Sequence, residues 1–300
     1  MISHLPHSEA GEGAAGSRAP DIASAPAHEA ADVGAPVKFS IVTISFNQAR
    51  YLEEAMSSVL TQDYPDVEYI VVDPGSKDGS RELIERYAPR LSKVVLEPDR
   101  GAPDGLNKGF RYARGDIFGF LNSDDVLLPG ALRAVSQAFE GRPDCDIVMG
   151  NGFLVDSGGA RIRHVRAAGF TATRYFYAAA TWLQQSTFFR RNIFEAVGGF
   201  NTDNRTCWDG ELLLEMTLAG AKVTYLNRDL SLFRVHPQSI TGSKRHKEMM
   251  RADAERMFSR ARGRRWTAAD TVRSWLFRAE RLLTQPGALE SAIRARLRGI

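Results

Sequence analysis

Long apolar runs are missing from this 300-residue sequence. Nowhere do about 18 apolar residues follow one another, which excludes a membrane-spanning helix. The opening residues, Met1 to Ala10, lack a basic region leading into an apolar stretch, so no secretory signal is expected. Cysteine is scarce. Cys145 and Cys207 are too few for a disulfide scaffold and lack the paired spacing of a zinc site, so both are expected as reduced thiols in the cytoplasm. No Gly-rich stretch ends in Gly-Lys-Ser or Gly-Lys-Thr, and no Gly-x-Gly-x-x-Gly follows the first strand, so kinase-like nucleotide binding and dinucleotide redox chemistry lose their signatures. Compositional extremes are absent too. With 43% hydrophobic and 25% charged residues, the chain is neither disordered throughout nor collagen-like. Its length suits one large domain or two small ones.

The charge is unevenly placed. The net +3 divides into +9 from Lys244 onward (15 Lys and Arg against 6 Asp and Glu) and −6 before it (24 against 30). An acidic body tells against nucleic-acid binding, while the basic tail points toward an anionic surface.

Residues 1–36 are Ala, Gly, Ser and Pro without apolar periodicity and are expected to be a disordered extension. A catalytic domain is expected over 37–243 and a basic helical tail over 244–300. Phe39 to Phe46 reads as a buried strand, Tyr51 to Leu60 as an amphipathic helix, and Val67 to Asp73 as a second strand. A Gly-rich turn follows, then a helix from Ser80 to about Tyr87 with Ser80 as its cap. Lys93 to Glu97, Leu106 to Ala113 and Asp116 to Asn122 read as strand, helix and strand. This alternation predicts an α/β, doubly wound, mostly parallel sheet. Beyond Asp125 the sequence predicts a helix from near Pro129, a strand over Cys145 to Gly150, a hairpin or small added β region over Gly152 to Val165, a strand over Ser186 to Arg190, a helix over Gly210 to Leu218, and a strand over Lys222 to Leu226.

In an open α/β sheet, ligands bind beyond the carboxyl ends of the strands. Those ends here are Thr43-Ile44-Ser45-Phe46-Asn47, Asp73-Pro74-Gly75-Ser76, Glu97-Pro98-Asp99-Arg100 and Asn122-Ser123-Asp124-Asp125. Two adjacent acids oppose each other's ionisation, and a divalent cation relieves that cost. Asp is equally at home as a helix cap, and Asp73 with Gly and Ser as a tight turn.

These strand ends, in this order, resemble the family 2 glycosyltransferases of the glycosyltransferase A fold. The resemblance runs from about Lys38 to Ser243 and rests on IVTISFNQARYLEEAMSSVLTQ, YIVVDPGSKDGS, EPDRGAPDGLNKGFRYARGDIFGFLNSDD, QQSTFFRR with VGGF, WDGELLLEMTLAG and FRVHPQSITGS. It implies that Thr43, Ser45 and Asn47 contact the nucleotide of a sugar donor and that Asp73 contacts the nucleobase. It implies that Asn122 and Asp124 lie at the donor diphosphate, and that Asp124, Asp125 and His236 lie about a Mg²⁺ or Mn²⁺ ion. Asp209 takes the place of the general base, with Glu211 next in line, although Asp209 could equally cap its helix. Gln184, Gln185 and Ser186 fall at the acceptor pocket. Asn107 and Lys108 either help hold the donor or form an exposed helix face. Asn122, Pro74 and Trp208 stand where relatives commonly carry acids.

The function so implied is metal-dependent, inverting transfer of a sugar from a UDP- or GDP-linked donor to a glycan or lipid-linked acceptor hydroxyl, in cell-surface polysaccharide or glycolipid assembly. Two alternatives stay open: a non-catalytic module that binds sugar nucleotides, and a sugar nucleotidyltransferase, though Ser45-Phe46-Asn47-Gln48 is not the basic Gly-rich loop the latter needs. The tail either lies on the inner face of the cytoplasmic membrane or packs on the catalytic domain as a solvated amphipathic helix.

Overall fold

The computed structural model describes residues 37–236 and 247–284. The expected extension over residues 1–36 and the ends of both later segments lie outside the described residues.

Nine strands form one sheet: β1 (Phe39–Ile44), β2 (Val67–Val72), β3 (Lys93–Val95), β4 (Ile117–Asn122), β5 (Val126–Leu127), β6 (Ile147–Val155), β7 (Arg161–Val165), β8 (Thr187–Arg190) and β9 (Val223–Arg234). Their order is β3-β2-β1-β4-β8-β6-β9-β5, with β7 on β6. The first four strands pair in parallel, and β6 pairs in parallel with β9. β8 runs antiparallel between β4 and β6, so the sheet is mixed but mostly parallel. Short apolar strands such as FSIVTI, buried along almost their whole length, are what a sheet covered on both faces requires.

Two layers of helix supply that cover. On one face α1 (Ala49–Leu60), α2 (Ser80–Tyr87) and α4 (Ala131–Glu140) pack Leu52, Met56, Ile84 and Phe139 against Phe39 and Ile41. On the other, α3 (Ala102–Phe110), α6 (Arg191–Ala196) and α7 (Trp208–Leu218) pack Leu106, Phe110, Phe194 and Leu213 against Val42, Ile70 and Phe118. The tail forms α8 (Lys247–Arg262) and α9 (Ala268–Thr284), and α5 (Ala172–Phe176) lies where they meet the body.

Several boundaries differ from the sequence reading, each for a local reason. Ser80 is the first residue of α2 and not its cap; Gly79 holds that place at φ 98°. α3 starts at Ala102, four residues before the expected Leu106, because Gly101 at φ 116° turns the chain while Asp99 accepts its N–H, and Pro103 then suits a first turn. The expected Cys145–Gly150 strand and the first arm of the hairpin are one strand, β6. β9 runs eight residues past Leu226. Its pairing with β6 shifts register on both sides of Asn151, so that Gly150 faces Leu226, Asn151 faces Asp229 and Gly152 faces Ser231. Glycine is required there, since a Cβ on Gly150 would fall 2.3 Å from the Leu230 side chain and one on Gly152 2.5 Å from the Ser231 carbonyl.

Candidate functional site

Strand order reverses between β1 and β4, and the crevice beyond their carboxyl ends is where an open sheet admits a ligand. Register places Ile44 beside Asn122, and Ser123 donates its N–H to the Ile44 carbonyl, so the end of β1 and the acidic stretch are neighbours. β9 then brings Arg234 and His236 to the same place.

The two adjacent acids do not share one environment. Asp125 is completely buried and accepts the Arg234 backbone N–H at 3.0 Å and the Asn122 amide at 3.4 Å. Burial, then the neighbouring Asp124 charge, push its carboxyl well above the usual carboxylate range. Asp124 keeps some exposure and meets the His236 ring, Oδ2 to Nε2, at 2.9 Å. Arg234 fixes the geometry from below: Nε donates to the Asp124 carbonyl at 2.9 Å and Nη2 to Glu54 at 2.6 Å. The Tyr51 ring of α1 lies 4.8 Å from the Arg234 guanidinium and 5.3 Å from the His236 ring centre. Sequence reasoning passed over Tyr51 and Arg234, and only the Arg-Val-His triplet marked the latter.

Asp124 and His236 set a hard carboxylate oxygen beside an imidazole nitrogen, a donor pair whose chemistry suits a divalent cation. Asp125, expected as a further ligand, is turned inward onto the β9 backbone. Among the described residues no group of three or more His, Cys, Asp or Glu side chains is arranged to hold a metal.

Unpartnered polar atoms mark the crevice. Ser45 Oγ, Asn122 Oδ1, Gln184 Nε2 and both amide atoms of Gln185 are buried with no hydrogen-bond partner. Gln184 accepts from Asn122 at 3.3 Å, which joins the 3-10 turn Gln184–Ser186 to the end of β4. Such groups are costly unless a polar ligand meets them. Ser186, grouped with them in the sequence, is spent internally on the Asn151 carbonyl and Ser231.

Other expected donor contacts have structural occupations. Thr43 is fully buried, and its hydroxyl accepts a hydrogen bond from Tyr69 at 2.9 Å, on the core side of β1. Asp73 closes its own turn, accepting the Gly75 and Ser76 N–H groups at 2.9 and 2.8 Å and Arg81 Nε at 3.3 Å. Asn47, exposed at φ 53°, accepts the Lys77 N–H at 2.9 Å and so ties the β1 loop to the β2 loop. Asn107, expected as a donor contact or an exposed helix face, is half-buried with its amide committed within the protein. Its amide clasps the Phe200 backbone, N–H and C=O, at 2.9 and 2.8 Å.

At the start of α7, Cys207 occupies the cap position and Asp209 lies in the first turn, so Asp209 is not the cap. Burial pushes its carboxyl up to about 6, partly opposed by the Gly210 N–H at 2.8 Å. Glu211 differs. It is buried and accepts Arg256 at 2.7 and 2.8 Å, Asn201 at 3.1 Å and Asn204 at 2.7 Å, which together hold it below the usual range. Its oxygens are committed. Beside Cys207 opens a mostly apolar cavity of about 630 Å³, lined by Tyr175, Phe176, Met257, Phe258 and Trp266.

The sheet order, the crevice at the β1–β4 reversal and the helices on both faces define a glycosyltransferase A fold. TarS 1-349 of S. aureus in complex with UDP superposes at TM-score 0.59 with 19% identity, over 75% of this chain and 65% of that one. Mannosyltransferase PcManGT from Pyrobaculum calidifontis, in complex with GDP-Man and Mn²⁺, superposes at 0.58 with 20% identity, over 91% and 77%. Residues 40–198, just over half of the chain, match the family model of glycosyl transferase family 2, and the chain belongs to that family. An uncharacterized glycosyltransferase of Nostoc sp. is 28% identical over 212 residues, 67% of this chain and 65% of its own length. Glycosyltransferase GlyG of Streptococcus pneumoniae is 26% identical over 219 residues, 67% and 72%. The chain thus spans slightly under two thirds of the Nostoc relative and of the TarS chain.

Proposed function

We propose that the protein transfers a sugar from a UDP- or GDP-linked donor to a hydroxyl of a glycan or lipid-linked acceptor, with inversion, in cell-surface polysaccharide or glycolipid assembly. The observation that carries this reading is the Asp124–His236 pair at the same strand end as Asn122 and Gln184, whose amides meet each other and keep unpartnered buried atoms, in a chain of glycosyl transferase family 2. Two solved neighbours hold UDP and GDP-Man, the second with Mn²⁺.

Asp124 and His236 would hold Mg²⁺ or Mn²⁺. A cation held there would supply Lewis-acid stabilisation of the leaving diphosphate. Asn122 and Ser45 would bind and orient the donor through the polar atoms that have no partner inside the protein. Asp209, ionised above about pH 6, would take the acceptor hydroxyl proton as that oxygen attacks. One base and direct displacement give inversion. The apolar cavity beside Cys207 would receive the acceptor, and the basic tail would bring the enzyme to acceptors at the inner face of the cytoplasmic membrane.

The test is thermal stabilisation by nucleoside diphosphates with and without Mn²⁺, because a ligand that binds only the folded state stabilises it by mass action. A shift with UDP or GDP that needs the metal and disappears in Asp124→Ala is expected. No shift with any nucleotide would remove the donor site, and the reading with it.

A further inference from the structure

Among the described residues, helix α9 is anchored along one face only. Asp270 is buried against Tyr177 Oη at 2.8 Å and Arg264 at 2.6 and 2.8 Å, Phe277 stacks on Tyr177 with ring centres 5.2 Å apart, and Arg281 donates to the Ala178 carbonyl. These positions, 270, 277 and 281, form one helical stripe. On the opposite side Val272, Trp275, Leu276, Ala279 and Leu283 also recur at spacings of three and four. The four large ones are 59, 72, 65 and 87% exposed. An apolar stripe left open on a helix already docked by its other face marks an interaction surface.

The charge around that stripe has a positive surplus. α9 carries two acids, and arginines take both: Arg264 holds Asp270, and Arg174 holds Glu280 at 3.0 Å. Arg273 and Arg278 flank the stripe on its two sides. Arg163 of β7 and Arg278 lie near enough to Arg281 that their charges, after burial, lower its guanidinium pKa. Arg273 also reaches Asp270 at 3.7 Å, which leaves Arg163 and Arg278 as the exposed cations here with no ion pair among the described residues, and these call for an anion outside the chain. Two copies pairing through the stripe would bring their surplus arginines together, which disfavours a symmetric dimer.

We propose that this face of α9 lies on an anionic phospholipid bilayer, with Trp275, Leu276 and Leu283 sunk into the headgroup boundary and Arg163, Arg273 and Arg278 at the lipid phosphates. The inference deepens the reading above by naming the surface at which an acceptor is met. It does not depend on the donor chemistry.

The full-length protein is to be sedimented with vesicles of phosphatidylcholine alone and of phosphatidylcholine with phosphatidylglycerol. It should pellet with the anionic vesicles and be released by salt. Trp275→Glu combined with Leu276→Glu should weaken that binding by about tenfold or more while thermal stability and the nucleotide shift stay unchanged. Arg163→Ser combined with Arg278→Ser should lower binding to anionic vesicles by about tenfold or more and leave the neutral ones unaffected. Failure to bind anionic vesicles, or equal binding by the glutamate variant, overturns the proposal. So does a wild-type dimer that the glutamate variant converts to monomer without any vesicle binding. If the donor reading alone is wrong, the nucleotide shift is absent from every variant and the vesicle result still stands.

Discussion

Arg256 meets Glu211 at two points, Nη1 to Oε1 at 2.7 Å and Nη2 to Oε2 at 2.8 Å, and so ties α8 to the first turn of α7 across 45 residues of chain. Glu211 is 2% exposed and two positions from Asp209, so the tail steadies the element that carries the candidate base.

Removing the guanidinium should therefore be felt twice. Arg256→Ala leaves a buried carboxylate with only two asparagine amides, and a loss of about 2–3 kcal/mol is expected in denaturant unfolding. Turnover should fall while the nucleotide shift persists. A variant as stable as the parent would show that the pair contributes nothing.

Asp209→Asn should abolish most turnover, by about a hundredfold or more, with donor binding retained. The same variant should be more stable than the parent at neutral pH. A carboxyl raised in the folded state favours folding below its unfolded pKa near 4, and that advantage is lost as pH rises through about 6. Above that range the amide should gain about 1–2 kcal/mol, and near pH 3 the two proteins should unfold alike. Turnover within severalfold of the parent would remove Asp209 from the chemistry.

The pH profile follows from the same group. A base must be ionised to act, so kcat/KM should rise with pH along a limb centred near 6 and level off above about 7. In Asp209→Asn that limb should vanish from the residual activity. A parent limb near 4 would point to an unburied carboxylate instead.

His236→Ala and Asp124→Ala should each remove the Mn²⁺-dependent part of the nucleotide shift, since the two side chains stand 2.9 Å apart on one candidate cation position. Asp125→Asn should behave otherwise. Its carboxyl is buried on the Arg234 N–H and is held toward its neutral form, so the amide should keep metal-dependent binding. Loss of the metal response in Asp125→Asn with the fold intact would return Asp125 to the ligand set.

The parallel half of the fold was legible because each strand is a short apolar run closed by a turn, as in VEYIVVD before Pro74 and Gly75. β9 was legible only to Leu226, because Asn227, Arg228 and Asp229 interrupt its pattern where the strand bulges. At the site, the motifs located the crevice but not the direction of each side chain. In a strand covered on both faces, nothing local says that Thr43 points to Tyr69. Nor can spacing reveal that Asn107 clasps Phe200, a contact across 93 residues. For the tail, one face of α9 packs on the body, as one of the two alternatives had it, and the other face stands open.

The bulges opposite Asn151 act on the crevice from a distance. Between Leu226 and Ser231 the strand uses more residues than its partner, and those extra residues set which side chains of the remaining stretch face inward when the chain reaches Arg234 and His236. Deleting one of them would leave every candidate group in the sequence and yet reverse the facing of Arg234 and His236, since a shift of one residue exchanges the two sides of a strand. The meeting of His236 with Asp124 is thus written as a length of chain, and an insertion or deletion there would be silent in any inventory of site residues while dismantling the site.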